Sequence, residues 1–330
     1  MTVSTHELRV QAGTAAGATL ADKFVAETTP TVLLRGVEEM SMRATPNVET
    51  LNDMSVGLAG SATAVVRGVA ASGGAQGWSS YEHLPYWLDN LLGLATPTGA
   101  GPYVRAYAAP TNTAPNCRIL SLVKGDSNVG AYQMVGALLT RFKLRMEPEA
   151  DLRFDGDLIG NKLVSDALEA LAVPAVNPIT AAHVASIRWD TFAGTMGATT
   201  LTNCTLRFME IELRPDRKSR ACVGTLTRDR YVEGPWTGTL KVGLEFNAAT
   251  KIDVDAVIGG SLTQKQFEVN FADGPRAAKF QFAGTVNEDV EIFSDDDGVV
   301  TADFSMERTY HPVFGNWFKA SITNGVDDLD

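Results

Sequence analysis

Apolar and polar residues alternate one for one along much of this chain, the period of a strand with one buried and one open face. In TRFKLRM, Phe142, Leu144 and Met146 fall on one side and Arg141, Lys143 and Arg145 on the other. GTLKVGLEF repeats the pattern, with Leu240, Val242, Leu244 and Phe246 opposed to Thr239, Lys241 and Glu245. LRFMEIEL alternates as well, but its apolar set slips phase between Phe208 and Met209, which predicts a β-bulge. Further strands are predicted in SATAVVRGVA (Ser61 to Ala70), PYVRAYAA, NCRILSLVKG, QFEVNF, KFQFAGTV and VVTADFSM. Asp155-Gly156, Asp273-Gly274 and Asp297-Gly298 carry turn chemistry. ASGGAQG, Ala71 to Gly77, reads as a flexible loop. Strand number, turn spacing and the period of two predict a mainly β chain of two tandem β-sandwich or barrel units.

One stretch breaks the period. In SSYEHLPYWLDNLLGL, Leu84, Leu88, Leu91 and Leu92 recur at helical spacing, with Trp87 on the same stripe. Ser79 or Ser80 can cap the start, Pro85 suits the first turn and Gly93 suits the exit. The spacing predicts a helix over residues 80–92 that packs Leu84, Trp87, Leu88 and Leu91 against the first β-unit. Residues 163–185 lose strand formers and contain Pro174 and Pro178. They read as a linker with a short helix around Ser165 to Ala172. The chain thus divides into a flexible arm (1–30), a first β-domain (31–162), the linker and a second β-domain (186–330). The Val37 to Leu58 region is also expected to order only on assembly. TRFKLRMEP and LRFMEIELRP echo one another across the divide, which suggests a repeated β-unit.

Composition narrows the function. The 330 residues are 45% hydrophobic and contain no membrane-length apolar run, so a water-soluble globular protein is expected. The N-terminus lacks the basic and apolar regions of a signal peptide, which points to synthesis and assembly in a cytoplasm. Cys117, Cys204 and Cys222 form no C-x-x-C pair and read as reduced thiols. The net charge of −11 excludes binding of nucleic acid by phosphate neutralisation, but not its enclosure. His6, His83, His183 and His311 are scattered, no Ser lies in G-x-S-x-G, and the Gly-rich stretch is no P-loop. Asp295, Asp296 and Asp297 are the best metal candidates, although a solvated hairpin tip explains them more simply. The expectation is a protein that is not an enzyme and needs no cofactor.

The run SLVKGDSNVGAYQMVGALLTRFKLRMEPEADLRFDGDLIG resembles the major tail tube proteins of long-tailed bacteriophages. The resembling positions are Gly125, Gly136 to Leu138, Thr140 to Met146 and Arg153 to Gly160. The predicted helix and its preceding strand pair, then NCTLRFMEIEL and WTGTLKVGLEF, fit the same order. The resemblance implies units of tail-tube type, each flanked by a helix, in rings that stack as a hollow tube. Relatives with two units per chain close the ring with three chains in pseudo-six-fold symmetry; relatives with one use six. No second helix as clear as the first is legible in the C-terminal half. The resemblance further implies a virion component, DNA passing through the lumen unbound, and tape measure, tail tip and tail terminator proteins as partners. On the polar faces, or beside them, Glu147, Glu149, Asp151, Asp157, Glu210, Glu212 and Glu245 are candidates to line an acidic lumen. Three other readings stand beside this one, of which one is an enzyme on a β-sandwich with a metal held by Asp295 to Asp297. A binding module would use Trp78, Trp236 and Trp317 to stack on sugars, and a secretion or injection tube would share the fold.

Overall fold

The computed structural model describes residues 9–15, 28–51, 63–126, 129–201, 205–286, 290–296 and 298–329. The first half runs β1 (Arg9–Ala15), β2 (Val32–Leu33), β3 (Val37–Leu51), β4 (Thr63–Trp78), α1 (Leu84–Leu92), β5 (Tyr103–Ala108), β6 (Ile119–Asp126), β7 (Gly130–Met146), β8 (Arg153–Gly160) and β9 (Lys162–Asp166). The second runs β10 (Val184–Thr191), β11 (Thr200–Leu201), β12 (Leu206–Arg214), β13 (Arg217–Arg220), β14 (Arg230–Glu233), β15 (Thr237–Glu245), α2 (Ala248–Ile258), β16 (Gln264–Asp273), β17 (Arg276–Val286), β18 (Glu291–Asp296), β19 (Val299–Arg308) and β20 (Phe318–Asn324). The chain is mainly β, as its patterning predicts.

The two halves repeat one topology. In the first, β1–β6–β7–β9 make one layer and β3–β4–β8–β7 the other. Strand β7 is long enough to serve both layers, with a register break between Leu139 and Arg141. In the second, β10–β16–β17–β20 answers the first layer and β12–β15–β19–β18 the second. The single β7 is replaced there by β17 and β18. Both helices follow the same strand of the repeat, α1 after β4 and α2 after β15. A bulge falls at the same place in β3, at Glu38, and in β12, at Arg207.

Strands of one half pair directly with strands of the other. The echoed segments are neighbours: β7 and β12 run antiparallel, with Leu144 opposite Ile211 and Phe142 opposite Leu213. Their pairing joins the outer layers into an eight-stranded antiparallel sheet, in the order β3–β4–β8–β7–β12–β15–β19–β18. At the other layer β20 pairs with β5. One apolar cluster runs behind both halves, from Phe142, Leu144 and Phe154 through Ile211 and Leu240 to Phe304 and Met306. Among the described residues no sheet closes on itself, so the units are sandwiches and not barrels.

Five local expectations change. Asp155-Gly156 is no turn but lies within β8, paired with both β4 and β7. ASGGAQG is no loop but the end of β4, paired with both β3 and β8. Its glycines admit close strands: a Cβ on Gly77 would lie 1.7 Å from the Gly36 carbonyl oxygen. Ser165 to Ala172 is no helix, because Leu163 and Val164 complete the edge of β7 as part of β9. Beyond it Gln11 exchanges side-chain hydrogen bonds with the Glu169 backbone, at 2.7 and 3.0 Å. Within the arm, Arg9–Ala15 is a strand of the sheet, and Val37–Leu51 is likewise paired along its length. Finally, the C-terminal half does hold a second helix. Asn247 caps α2 and Thr250 reciprocates, but only Thr250, Asp253 and Val254 are buried, so no apolar stripe announced it.

Candidate functional site

A broad charged surface is the outward face of the eight-stranded sheet. The alternation that buries Phe142, Leu144 and Met146 turns Arg141, Lys143 and Arg145 the other way. The neighbouring strands present Asp155 and Asp157 from β8, Glu210, Glu212 and Arg214 from β12, and Lys241 and Glu245 from β15. One row can be followed across the sheet by register: Glu39, Gln76, Asp155, Lys143, Glu212, Thr239 and Glu307.

The charges are interleaved. Arg141 donates to Asp157 at 2.7 Å and to Asp155 at 2.8 Å, and these carboxylates push its guanidinium pKa above the ordinary range. Lys143 pairs with Glu210 at 2.7 Å. Arg145 pairs with Glu147, Arg153 with Glu38, and Arg214 with Glu212. Each of these five cations therefore already has a carboxylate partner. A phosphate approaching any of these five would have to displace its carboxylate.

Of the acidic residues singled out from sequence, Asp157, Glu210, Glu212 and Glu245 lie on this face. Glu147, Glu149 and Asp151 belong to the β7–β8 turn at its end, where Glu149 takes a positive φ of 60°. The bulge at Arg207 brings Phe208 onto the polar side, one residue earlier than the phase slip suggests. There its ring lies over Gly243, whose missing Cβ would fall 2.4 Å from it.

A family model described as phage tail tube protein matches residues 13–307. The chain belongs to that family. A comparison with curated proteins finds no match. A tail tube protein is a structural component of the virion.

Other candidate residues of this tail tube protein sit apart from that surface. Asp295 and Asp296 are backbone-paired with Val300 and Val299, and Asp297 lies outside the described residues. Trp236 and Trp317 are buried and Trp78 is half-buried, so they form no open stacking platform. Leu84, Trp87, Leu88 and Leu91 all lie buried in α1. Ser80 Oγ accepts from the His83 amide at 3.1 Å, and Gly93 ends the helix at a φ of 109°.

Sequence reasoning missed the polar seam beneath this helix. Asn90 is fully buried where β7 changes layers: its amide donates to the carbonyls of Arg118 and Ala137, and its oxygen accepts from Leu139 N at 2.7 Å. Asp89 accepts from Tyr107 at 2.9 Å and Arg118 at 3.1 Å. Burial outweighs these contacts and raises its carboxyl pKa, while burial pushes the Cys117 thiol up to about 11. Arg217, from β13 of the second half, donates to the carbonyls of Asn90, Leu91 and Leu139 and pairs with Glu233. It thereby caps the C-terminal end of α1 with positive charge. The only sequence signal was one arginine within the basic run RPDRKSR, Arg214 to Arg220.

Proposed function

We infer that this chain is the major tail tube protein of a long-tailed phage. Copies close into rings through their eight-stranded sheets, and the rings stack into a tube assembled in the host cytoplasm. The interleaved face lines the lumen, with Asp157, Glu210, Glu212 and Glu245 on the wall and Glu147, Glu149 and Asp151 at its rim. DNA passes along this face without specific binding, because Arg141, Lys143, Arg145 and Arg214 are already engaged by neighbouring carboxylates. The topological repeat favours three chains per ring in pseudo-six-fold symmetry. Tape measure, tail tip and tail terminator proteins are the partners such a tube requires. The reading is carried by one observation: an extended antiparallel sheet, apolar behind and charged in front, whose two outermost strands pair on one side only among the described residues.

Concentrating the purified chain and viewing it by negative-stain electron microscopy tests this. Hollow rods built of rings with three chains are expected. A population that stays monomeric, even with the partner tail proteins added, would remove the proposal.

A further inference from the structure

The internal repeat contains its own template for a joint between molecules. Inside the chain, the end of β7 meets β12 with Phe142 opposite Leu213, Lys143 opposite Glu212 and Leu144 opposite Ile211. The counterpart of β12 is β3, and the counterpart of that end of β7 is β18. The equivalence can be fixed residue by residue. Superposing the two bulges sets Met40 on Met209, Met42 on Ile211 and Arg43 on Glu212. Following the pairs through β4–β8 and β15–β19 sets Val290 on Phe142, Glu291 on Lys143 and Ile292 on Leu144. Among the described residues β3 pairs only with β4, and β18 only with β19, so each leaves an edge open.

We propose that β18 of one copy pairs antiparallel with β3 of a second copy, with Ile292 beside Met42, Glu291 beside Arg43 and Val290 beside Ala44. This register rests on the tube reading and specifies its joint. Three observations support it beyond topology. The charges agree: Arg43 and Glu291 are exposed and opposite in sign, and they exchange the positions that Glu212 and Lys143 hold in the internal joint. A register shifted by one residue would lose that pair and turn the apolar residues outward. The apolar residues agree: Met42, Val290 and Ile292 are partly buried at the margin of the core, where a neighbouring strand would finish covering them. The boundary agrees: Phe293, at a φ of 62°, breaks the β18 register just beyond Ile292 and limits the joint to this short segment. A joint between two different edges is head-to-tail, so it closes a ring when the rotation per copy fits.

The test mixes two full-length single variants, Arg43→Cys and Glu291→Cys, under assembly conditions and oxidises them. A disulfide between them can only join two molecules, and each variant alone gives the background from the native cysteines. A disulfide-linked dimer is expected, with at least tenfold less from Thr45→Cys mixed with Glu291→Cys, two residues out of register. In parallel, Arg43→Glu and Glu291→Arg should each lower the assembled fraction severalfold, and the double swap should restore it. Tubes that form without the Arg43–Glu291 link, or with equal linkage from Thr45, overturn this register and leave the tube reading intact. An unaltered chain that forms no rings or tubes overturns both.

Discussion

Arg217 shows how much a single buried side chain carries here. Its guanidinium is fully enclosed, yet it reaches three backbone carbonyls, Glu233 and, at 2.9 Å, the Cys117 sulfur. The Trp236 ring lies 5.6 Å from it. Removing the charge takes the cation from those carbonyls and from Glu233, which keeps the Trp236 indole N–H, a change that typically costs about 3–5 kcal/mol. Arg217→Met is therefore expected to lower the unfolding free energy from urea titration by that amount, through a lower midpoint at an unchanged slope. A loss under about 1 kcal/mol would mean that water replaces the guanidinium. Lysine should not rescue, since one ammonium cannot span the carbonyls of Asn90, Leu91 and Leu139.

At the scale of the element, the two helices occupy equivalent places in the repeat and are held by different means. α1 is buried along its whole length and closes the first sandwich with Leu84, Trp87, Leu88 and Leu91. α2 keeps Ile252 and Ile258 exposed and is anchored by Asp253, which accepts from Trp189 at 2.7 Å and pairs with Lys265 at 2.5 Å. Substitutions should separate the two. Leu88→Ala costs about 2–5 kcal/mol in lost apolar burial and the cavity left behind, and Leu88→Asp adds an unpaired buried charge. Leu88→Asp is expected to yield no soluble, ring-competent protein on size-exclusion chromatography. Ile252→Asp, on an exposed face, should leave yield unchanged; normal yield from both would remove the closing role given to α1.

The whole molecule presents one charged sheet over one continuous core, and its electrostatics depend on pairing more than on the net charge of −11. The chain is acidic, but the face is mixed in sign, because Arg141, Lys143 and Arg145 stand among the acids of β8 and β12. Asp155→Asn with Asp157→Asn strips Arg141 of both partners. That variant is expected to bind duplex DNA at low salt in a filter assay, with affinity falling steeply as salt rises, while the unaltered chain shows no such term. Equal, negligible binding by both would mean that pairing is not what keeps the face from adhering to DNA.

What could be read from the sequence was whatever a local period records. The alternation in Thr140–Met146 and Gly238–Phe246 is set by the pleat, and α1 by a stripe at helical spacing, so these survive without knowledge of their neighbours. ASGGAQG, Ser165 to Ala172 and α2 were not legible, because their states are decided by distant partners. Strands β3 and β8 flank the first, β7 pairs with the start of the second, and Trp189 and Lys265 anchor the third. The sequence alone determined a mainly β chain with one apolar helix and two-faced strands. Only the tertiary structure decided that the echoed strands lie side by side, that acids and bases alternate across one face, and that Arg217 caps a helix of the other half. Those are relations between residues far apart in sequence, and no local period records them.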